Sequence, residues 1–447
     1  MKYSVITFGC RVNQSDSLGF EESLLASGAE ASAADTADVV IVNTCSVTAS
    51  ADQGARQTIR RIARVNPNAR IVVTGCYATR DRGDVEQLPG VAQVVCNDDK
   101  PRLMTFIRSS TSSSLDDESP IGSLPTTAER FGEGEGGCGA TIEPGVAGRT
   151  AYTLRVQTGC AESCSYCIIP QTRGIPRSVS LPVVLAEVRR VMDAGFQEVA
   201  LTGVHLGSYG RDLEPRTTLV ELLRALAELA RMELDVRARR VLFRISSLEP
   251  MDCSDAVVNL VRDSACFAPH FHLPLQHASA RLLQAMRRPY DLAYYATLVD
   301  RDCIRRDIPH ASIGTDIIVG FPGETDADAR ELADYLERSP LTHPARVPLL
   351  GSARHRGVAT GDRPSGLLVK QRSRRAPRDR QHAVEQVHLG AARNRSSGAD
   401  TGRWNAGGDG ELREGADRRR ADAQSLGDAR CCSDSIMCFP INLSNTS

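Results

Sequence analysis

No apolar run in this 447-residue chain approaches the length needed to cross a bilayer. The opening Met1-Lys-Tyr-Ser-Val-Ile lacks the apolar stretch and cleavage site of a secretory leader. Together these absences lead us to expect a cytoplasmic protein with no membrane partner. Net charge is also nearly absent, −1 from 54 basic and 55 acidic residues. That balance argues against strong nonspecific nucleic-acid binding, although a local basic patch remains compatible with it. Fourteen cysteines without a leader, in a chain this long, read as metal ligands or buried thiols and not as a disulfide framework. A hydrophobic content of 41% and a charged content of 24% are ordinary for a globular protein, and the length allows two or three domains with their own cores.

The most telling absence is a fourth ligand. Cys160-Ala-Glu-Ser-Cys164-Ser-Tyr-Cys167 places three thiols at x3 and x2 spacing, and no further Cys or His stands near enough to complete the set. Structural zinc wants four closed ligands, usually as paired C-x2-C units. Three thiolates can instead hold three corners of a cubic iron–sulfur cluster, leaving one iron open to a substrate or cofactor. An open iron points to chemistry and not to electron storage alone.

What surrounds this motif alternates between strand and helix. Residues 3–7, 38–43 and 70–74 are β-branched runs separated by helix-compatible stretches at 17–26 and 50–65, the pattern of a parallel sheet covered by helices. Each run is followed closely by a cysteine, Cys10, Cys45 or Cys76. Ligands gather beyond the carboxyl ends of parallel strands, so three neighbouring strand ends could deliver these thiols to one place. The same residues could equally be buried thiols packing as small hydrophobes. Flanking Gly9, Asn43 and Gly75 suit tight strand-to-loop turns and favour function. Residues 109–148 read as a Ser- and Gly-rich linker in which Cys138 is a bystander. From residue 149 a second alternating block follows, with strands expected at 152–157, 198–202, 241–246, 271–275 and 312–319. Helices are expected at 181–194, 218–231, 278–286 and 326–337. These five β/α units fit an incomplete parallel barrel. Its C-terminal face, where barrel enzymes place their chemistry, would carry the three-thiol loop.

These residues together resemble the radical S-adenosylmethionine (SAM) methylthiotransferases over roughly residues 1–343. The resemblance is carried by Thr7-Phe-Gly-Cys10-Arg-Val-Asn-Gln, Val42-Asn-Thr-Cys45-Ser, Val73-Thr-Gly-Cys76-Tyr and Val156-Gln-Thr-Gly-Cys160. It continues through Cys164-Ser-Tyr-Cys167-Ile-Ile-Pro, Thr172-Arg-Gly, Leu201-Thr-Gly-Val-His-Leu-Gly, Ser246-Ser-Leu-Glu-Pro and Asp316-Ile-Ile-Val-Gly-Phe-Pro-Gly-Glu. The segments around Cys10, after Thr202 and at Ser246 are most similar to the subgroup acting on threonylcarbamoyladenosine in tRNA.

The resemblance implies an N-terminal methylthiotransferase domain over residues 1–108 and a partial (β/α)6 radical-SAM barrel over 149–343. It implies two [4Fe–4S] clusters, one held by Cys160, Cys164 and Cys167 with SAM on its open iron, the other by Cys10, Cys45 and Cys76. The expected reaction adds a methylthio group to C2 of the N6-threonylcarbamoyladenosine next to the anticodon. The alternatives are the isopentenyladenosine of tRNA, a ribosomal protein, or no activity in a frameshifted remnant. Its partners would be the tRNA anticodon loop, a reductant such as flavodoxin or ferredoxin, and a sulfur donor. Tyr166 would lie against the cofactor's adenine or pack its own loop. Thr202 and Gly203 would let backbone approach the methionine moiety, or form a tight turn. Ser246 and Gln276 are candidate polar contacts at later strand ends. Arg173 would meet the cofactor carboxylate, an RNA phosphate or a neighbouring acid. His205 and His272 read as satisfied neighbours.

After about His343 the resemblance stops. Residues 344–435 contain no Ile, Phe or Tyr and keep no sustained period of 2 or 3.6. Residues 344–447 carry 18 basic and 11 acidic groups. Reading the codons allowed for residues 344–356 one base later yields His-Val-Phe-Pro-Tyr-Ser-Asp-Arg-Pro-Gly-Thr, similar to the family's last barrel strand. We therefore expect a frameshift near Thr342, a barrel lacking its last strand, no C-terminal RNA-binding β-barrel, and a tail that is not native-like.

Overall fold

The computed structural model describes residues 1–46, 49–109, 151–300, 303–348, 365–375 and 441–442. The expected linker, with Cys138, and most of the expected tail lie outside the described residues.

The N-terminal unit is a parallel α/β layer. Strand β1 (Lys2–Thr7) leads to helix α1 (Arg11–Ala26), then β2 (Val39–Thr44), α2 (Ala49–Val65), β3 (Arg70–Gly75), the short α3 (Cys76–Arg80) and β4 (Val91–Val95). The order β1-β2-β3-β4 is parallel throughout, with Tyr3 opposite Val39 and Val39 opposite Arg70. Every side chain of β2 is buried, as a near-continuous Val/Ile run requires when helices cover both faces. Burying each such Val or Ile contributes about 1.5–3 kcal/mol. Two cores result. One gathers Val40, Val42, Ile59 and Val73, and the other Val5, Phe20, Leu24 and Ile41. The outer edge of β1 carries two short pieces, Glu30–Ala31 in parallel and Ile441–Asn442 antiparallel.

The second unit is the partial barrel. Strand β5 (Ala151–Arg155) is followed by α4 (Ile169–Arg173), α5 (Leu181–Asp193), β6 (Glu198–Thr202), α6 (Leu219–Arg237), β7 (Leu242–Ile245) and α7 (Asp255–Asp263). Then come β8 (His270–His272), α8 (Ala280–Ala285), β9 (Ser312–Val319), α9 (Asp326–Arg338) and β10 (His343–Pro348). β5, β6 and β7 form one parallel set and β8, β9 and β10 another. A Phe243–Phe267 bridge and the Leu248 amide, which donates to the His272 carbonyl at 2.9 Å, join them. Helix α5 shows why the pattern reads as helix: Val184, Val188 and Val191 recur on one face and all are buried. Helix α9 starts at a reciprocal capping box between Thr325 and Asp328.

One expectation needs correction. The last barrel strand is not missing: β10 pairs in parallel with β9 over six residue pairs, from Gly314–His343 to Val319–Pro348. Strand pairing is made by backbone groups, so an open edge accepts an extended segment of almost any composition. Pro344 is tolerated because β10 is itself an edge among the described strands. A short helix, α10 (Gly366–Arg375), also docks on the barrel. Val369 is buried against Gly320, and Arg372 pairs with Glu324 at 2.9 Å and Asp326 at 2.6 Å. Residues 349–364, 376–440 and 443–447 lie outside the described residues. Among the described residues, no helix is long and apolar enough to cross a membrane.

Candidate functional site

The loop after β5 brings Cys160, Cys164 and Cys167 to the C-terminal end of the barrel, all three half-buried. Gly159 makes the turn possible: its φ is +76°, and a Cβ there would fall 1.9 Å from the Ile175 carbonyl oxygen. The Cys160 amide donates to the Gly174 carbonyl and the Cys167 amide to the Cys164 carbonyl. Ser165 ties the loop to α8 by donating its hydroxyl to the Ala285 carbonyl at 2.9 Å.

Two cations face two of these thiols, each anchored by a carboxylate from the loop after β7. Arg288 donates from Nη1 to Cys164 Sγ at 3.1 Å and pairs through Nη2 with Glu249. His205 has Nδ1 3.9 Å from Cys160 Sγ and Nε2 2.8 Å from Asp252 Oδ2. Burial alone would lower the His205 imidazole, but Asp252 and Cys160 raise it to about 10. Burial pushes the Cys164 thiol up, with Arg288 offsetting part of the rise. Burial likewise pushes Cys167 up to about 12. Thiols in this state release their protons to a metal and not to water.

Sequence reasoning took His205 as a satisfied neighbour and did not single out Arg288, Glu249 or Asp252. It also passed over Gln157. The Gln157 side-chain carbonyl accepts from the amides of Val204 and His205 at 3.0 and 2.8 Å, while its Nε2 donates to the carbonyls of Thr158 and Gly159 and to Ser208. Gln157 therefore locks the loop after β6 to the thiol loop. The space above Gly203 is filled by Leu206 and Gln157. Thr202 is the buried last residue of β6. Tyr166 packs against Leu282, Met286, Ile318 and Phe321, and its hydroxyl accepts from Arg288 at 3.4 Å. Ser246 Oγ is buried with no hydrogen-bond partner, as a residue waiting for a ligand would be. Gln276 takes φ +69° and bridges β9 through the Asp316 carbonyl and the Ile318 amide. His272 reaches Ser247 at 2.8 Å and Asp316 at 3.6 Å.

The second trio lies at the strand ends of the N-terminal sheet. Cys10 precedes α1, Cys45 follows β2 and Cys76 opens α3. Glycine again holds the turns. A Cβ on Gly9 would fall 2.4 Å from Cys45 Sγ, and one on Gly75 would fall 2.1 Å from the Thr44 carbonyl. Cys76 differs from the barrel thiols. Burial would raise it, yet Arg173 and Lys100 draw it below the ordinary thiol value.

Helix α4 connects the two places, because it begins just after Cys167 and ends at Arg173 beside Cys76 and Cys10. Asn97 donates to the Thr172 carbonyl at 2.7 Å and approaches Cys76 Sγ at 3.7 Å. Arg173 also reaches Asn13 and Asp16 of α1. Among the described residues, no three His, Cys, Asp or Glu side chains stand close enough to hold a single metal ion. The ligands of a cubic cluster bind separate irons and so stand farther apart than the ligands of one ion. The glycine-cradled turns and the donors aimed at sulfur fit such a cluster.

Residues 2–97 match the family described as "Uncharacterized protein family UPF0004", and residues 154–336 match the Radical SAM superfamily. The threonylcarbamoyladenosine tRNA methylthiotransferase MtaB of Bacillus subtilis (strain 168) is 32% identical over 74% of this chain and 69% of its own. The protein of the same name from Aquifex aeolicus (strain VF5) is 35% identical over 77% and 79%. The chain belongs to the radical SAM methylthiotransferases. Enzymes of this family work with SAM and two [4Fe–4S] clusters. A Thermobifida fusca (strain YX) relative, named tRNA-2-methylthio-N(6)-dimethylallyladenosine synthase, is 32% identical over 76% and 66%. The radical SAM methyltransferase TsrM of Kitasatospora setae shares the fold, with a TM-score of 0.53 and 17% identity over 77% of this chain and 72% of that one.

Proposed function

We propose that the enzyme transfers a methylthio group to C2 of N6-threonylcarbamoyladenosine next to the anticodon of tRNA, working in the cytoplasm. One observation carries the reading. The three-cysteine loop of the barrel and the three cysteines at the N-terminal strand ends meet through a single five-residue helix, α4, whose Thr172 and Arg173 contact the surroundings of Cys76. A reaction needing both SAM activation and sulfur supply requires that neighbourhood.

In this reading Cys160, Cys164 and Cys167 hold the SAM-binding cluster and Cys10, Cys45 and Cys76 the auxiliary one. When bound, these groups supply the radical and the sulfur. The chain's own residues bind, orient and shield. Arg288 donates to Cys164, and His205 faces Cys160 from Asp252. Ser246, Gln276 and Thr202 stand at the strand ends where SAM would lie, with Gly203 in the packed turn after Thr202 and Tyr166 as a wall beside the loop. Gln157 fixes the backbone on which two of them depend. The electron would come from a flavodoxin- or ferredoxin-type reductant and the sulfur from a separate donor.

The substrate is supported by the MtaB names among the relatives, with dimethylallyladenosine of tRNA as the competing target. Nucleoside mass spectrometry on tRNA from cells with and without the gene decides between them. Gain of methylthio-threonylcarbamoyladenosine is expected. Gain of methylthio-dimethylallyladenosine alone would replace the substrate, and no change would remove the activity. Anaerobic reconstitution should give two clusters' worth of iron and inorganic sulfide per chain, and zinc without sulfide would overturn the assignment.

A further inference from the structure

Helix α2 follows Cys45 and covers the N-terminal sheet with Ile59 and Ile62 in the core. Its other face is made of Gln53, Arg56, Gln57, Arg60, Arg61 and Arg64, all exposed except a half-buried Arg56, and it holds no acid. The carboxylate on this helix, Asp52, is buried and pairs with Arg80 at 2.7 Å. Among the described residues, Arg60, Arg61 and Arg64 make no ion pair. Arg56 donates to the Tyr77 hydroxyl at 3.0 Å and lies over the same ring, so the row of arginines starts beside Cys76. A helical rise of about 1.5 Å per residue then carries it about 12 Å to Arg64.

Side chains four apart on a helix are neighbours, and like charges so placed weaken it. Arg56–Arg60 and Arg60–Arg64 are two such pairs, and Arg61–Arg64 is a third at a spacing of three. Arginines on other helices have acids beside them. Arg231 on α6 pairs with Glu228 at 2.6 Å and Asp235 at 3.0 Å, and Arg190 on α5 with Glu187 at 2.6 Å. That mixed pattern is what a merely solvated face shows. The negative end of the helix dipole accounts for Arg64 in the last turn, but its effect fades before Arg56 and Arg60. Four arginines without a lysine suit phosphate oxygens, which the guanidinium fork matches in pairs.

We propose that this face of α2 docks the phosphate backbone of RNA and, resting on the tRNA reading above, that the RNA it holds is the anticodon arm. Position favours RNA over an acidic reductant protein. The row leads to Tyr77 beside Cys76, in the proposed sulfur-bearing trio where the nucleotide must arrive. The electron would instead enter at the barrel thiols.

Fluorescence anisotropy of a labelled anticodon stem-loop RNA, titrated with the anaerobically reconstituted full chain, tests the face. The double variant Arg60→Gln with Arg64→Gln should bind roughly tenfold more weakly, with a salt slope smaller by about one and a half units. Arg231→Gln, at an exposed position on α6, should change neither. Both altered side chains are exposed and free of ion pairs, so the thermal transition should stay in place or rise. Equal binding by the double variant and the parent, an unchanged salt slope, or a lowered thermal transition would overturn the proposal. So would loss of binding to flavodoxin with RNA binding intact, which would make the occupant an acidic protein. The tRNA reading fails separately. RNA binding that depends on these arginines, with no methylthio nucleoside formed in cells, would sink that reading and spare the face. Methylthio nucleoside formed in cells, with RNA binding indifferent to the arginines, would do the reverse.

Discussion

At the scale of single residues, the site is built from charges aimed at sulfur. Arg288 is anchored by Glu249 and donates to Cys164. Donors to cluster sulfurs stabilise the reduced, more negative state. Arg288→Gln should therefore lower the midpoint potential of the barrel cluster by tens of millivolts, read by potentiometric titration with electron paramagnetic resonance. An unchanged potential would separate Arg288 from the cluster. His277 makes a different prediction. It is fully buried, its Nδ1 accepts from the Ser279 amide at 3.0 Å, and burial lowers it to about 4. An unfolded chain protonates this imidazole near its ordinary value of about 6.5, so between the two values the unfolded state holds more protons. The stability contribution is whole above pH ~6.5 and is lost as pH falls toward 4, roughly 2–3 kcal/mol by pH ~4.5. Chemical denaturation across that window should show the loss, and His277→Gln should flatten it. None of these pairings is legible in the sequence. Arg288, Glu249 and Cys164 stand far apart along the chain, and nothing local marks them as neighbours.

At the scale of elements, the thiol-bearing turns depend on backbone that only glycine adopts easily. Gly159 combines φ +76° with a Cβ position 1.9 Å from a carbonyl oxygen, whereas Gly28 has the same φ and nothing within 4 Å. Gly28→Ala should cost about 1 kcal/mol from conformation alone, while Gly159→Ala should cost more than about 2 kcal/mol and reduce iron uptake at the barrel loop. Equal thermal shifts for the two would mean that the crowding at Gly159 is relieved cheaply. Strands and helices were largely legible, because β-branched runs and the 3.6 period are local signals. The expected helix at 326–337 is observed as Asp326–Arg338. β10 was not legible. Its composition says nothing of a strand, and the open edge of β9 decides its conformation.

At the scale of the whole molecule, the two units are joined by a buried charge hub. Asp16 from α1 holds Lys100 of its own domain and Arg155 and Arg173 of the barrel. Burial alone would raise this carboxyl, but its three cations hold it well below the ordinary range. Asp16→Asn would remove the carboxylate on which those cations converge. It should cost about 3–5 kcal/mol and divide unfolding into two transitions, as seen by calorimetry. A single unshifted transition would show that the junction does not depend on this ion. By itself the sequence determined the parallel α/β architecture, the two cysteine trios and the family, because each is written in short spacings and local periods. Only tertiary structure decided that α4 would bring the trios together and that one aspartate would hold three cations. Those outcomes depend on which surfaces exclude water when the domains pack, and charges buried at that seam come from positions up to 157 residues apart.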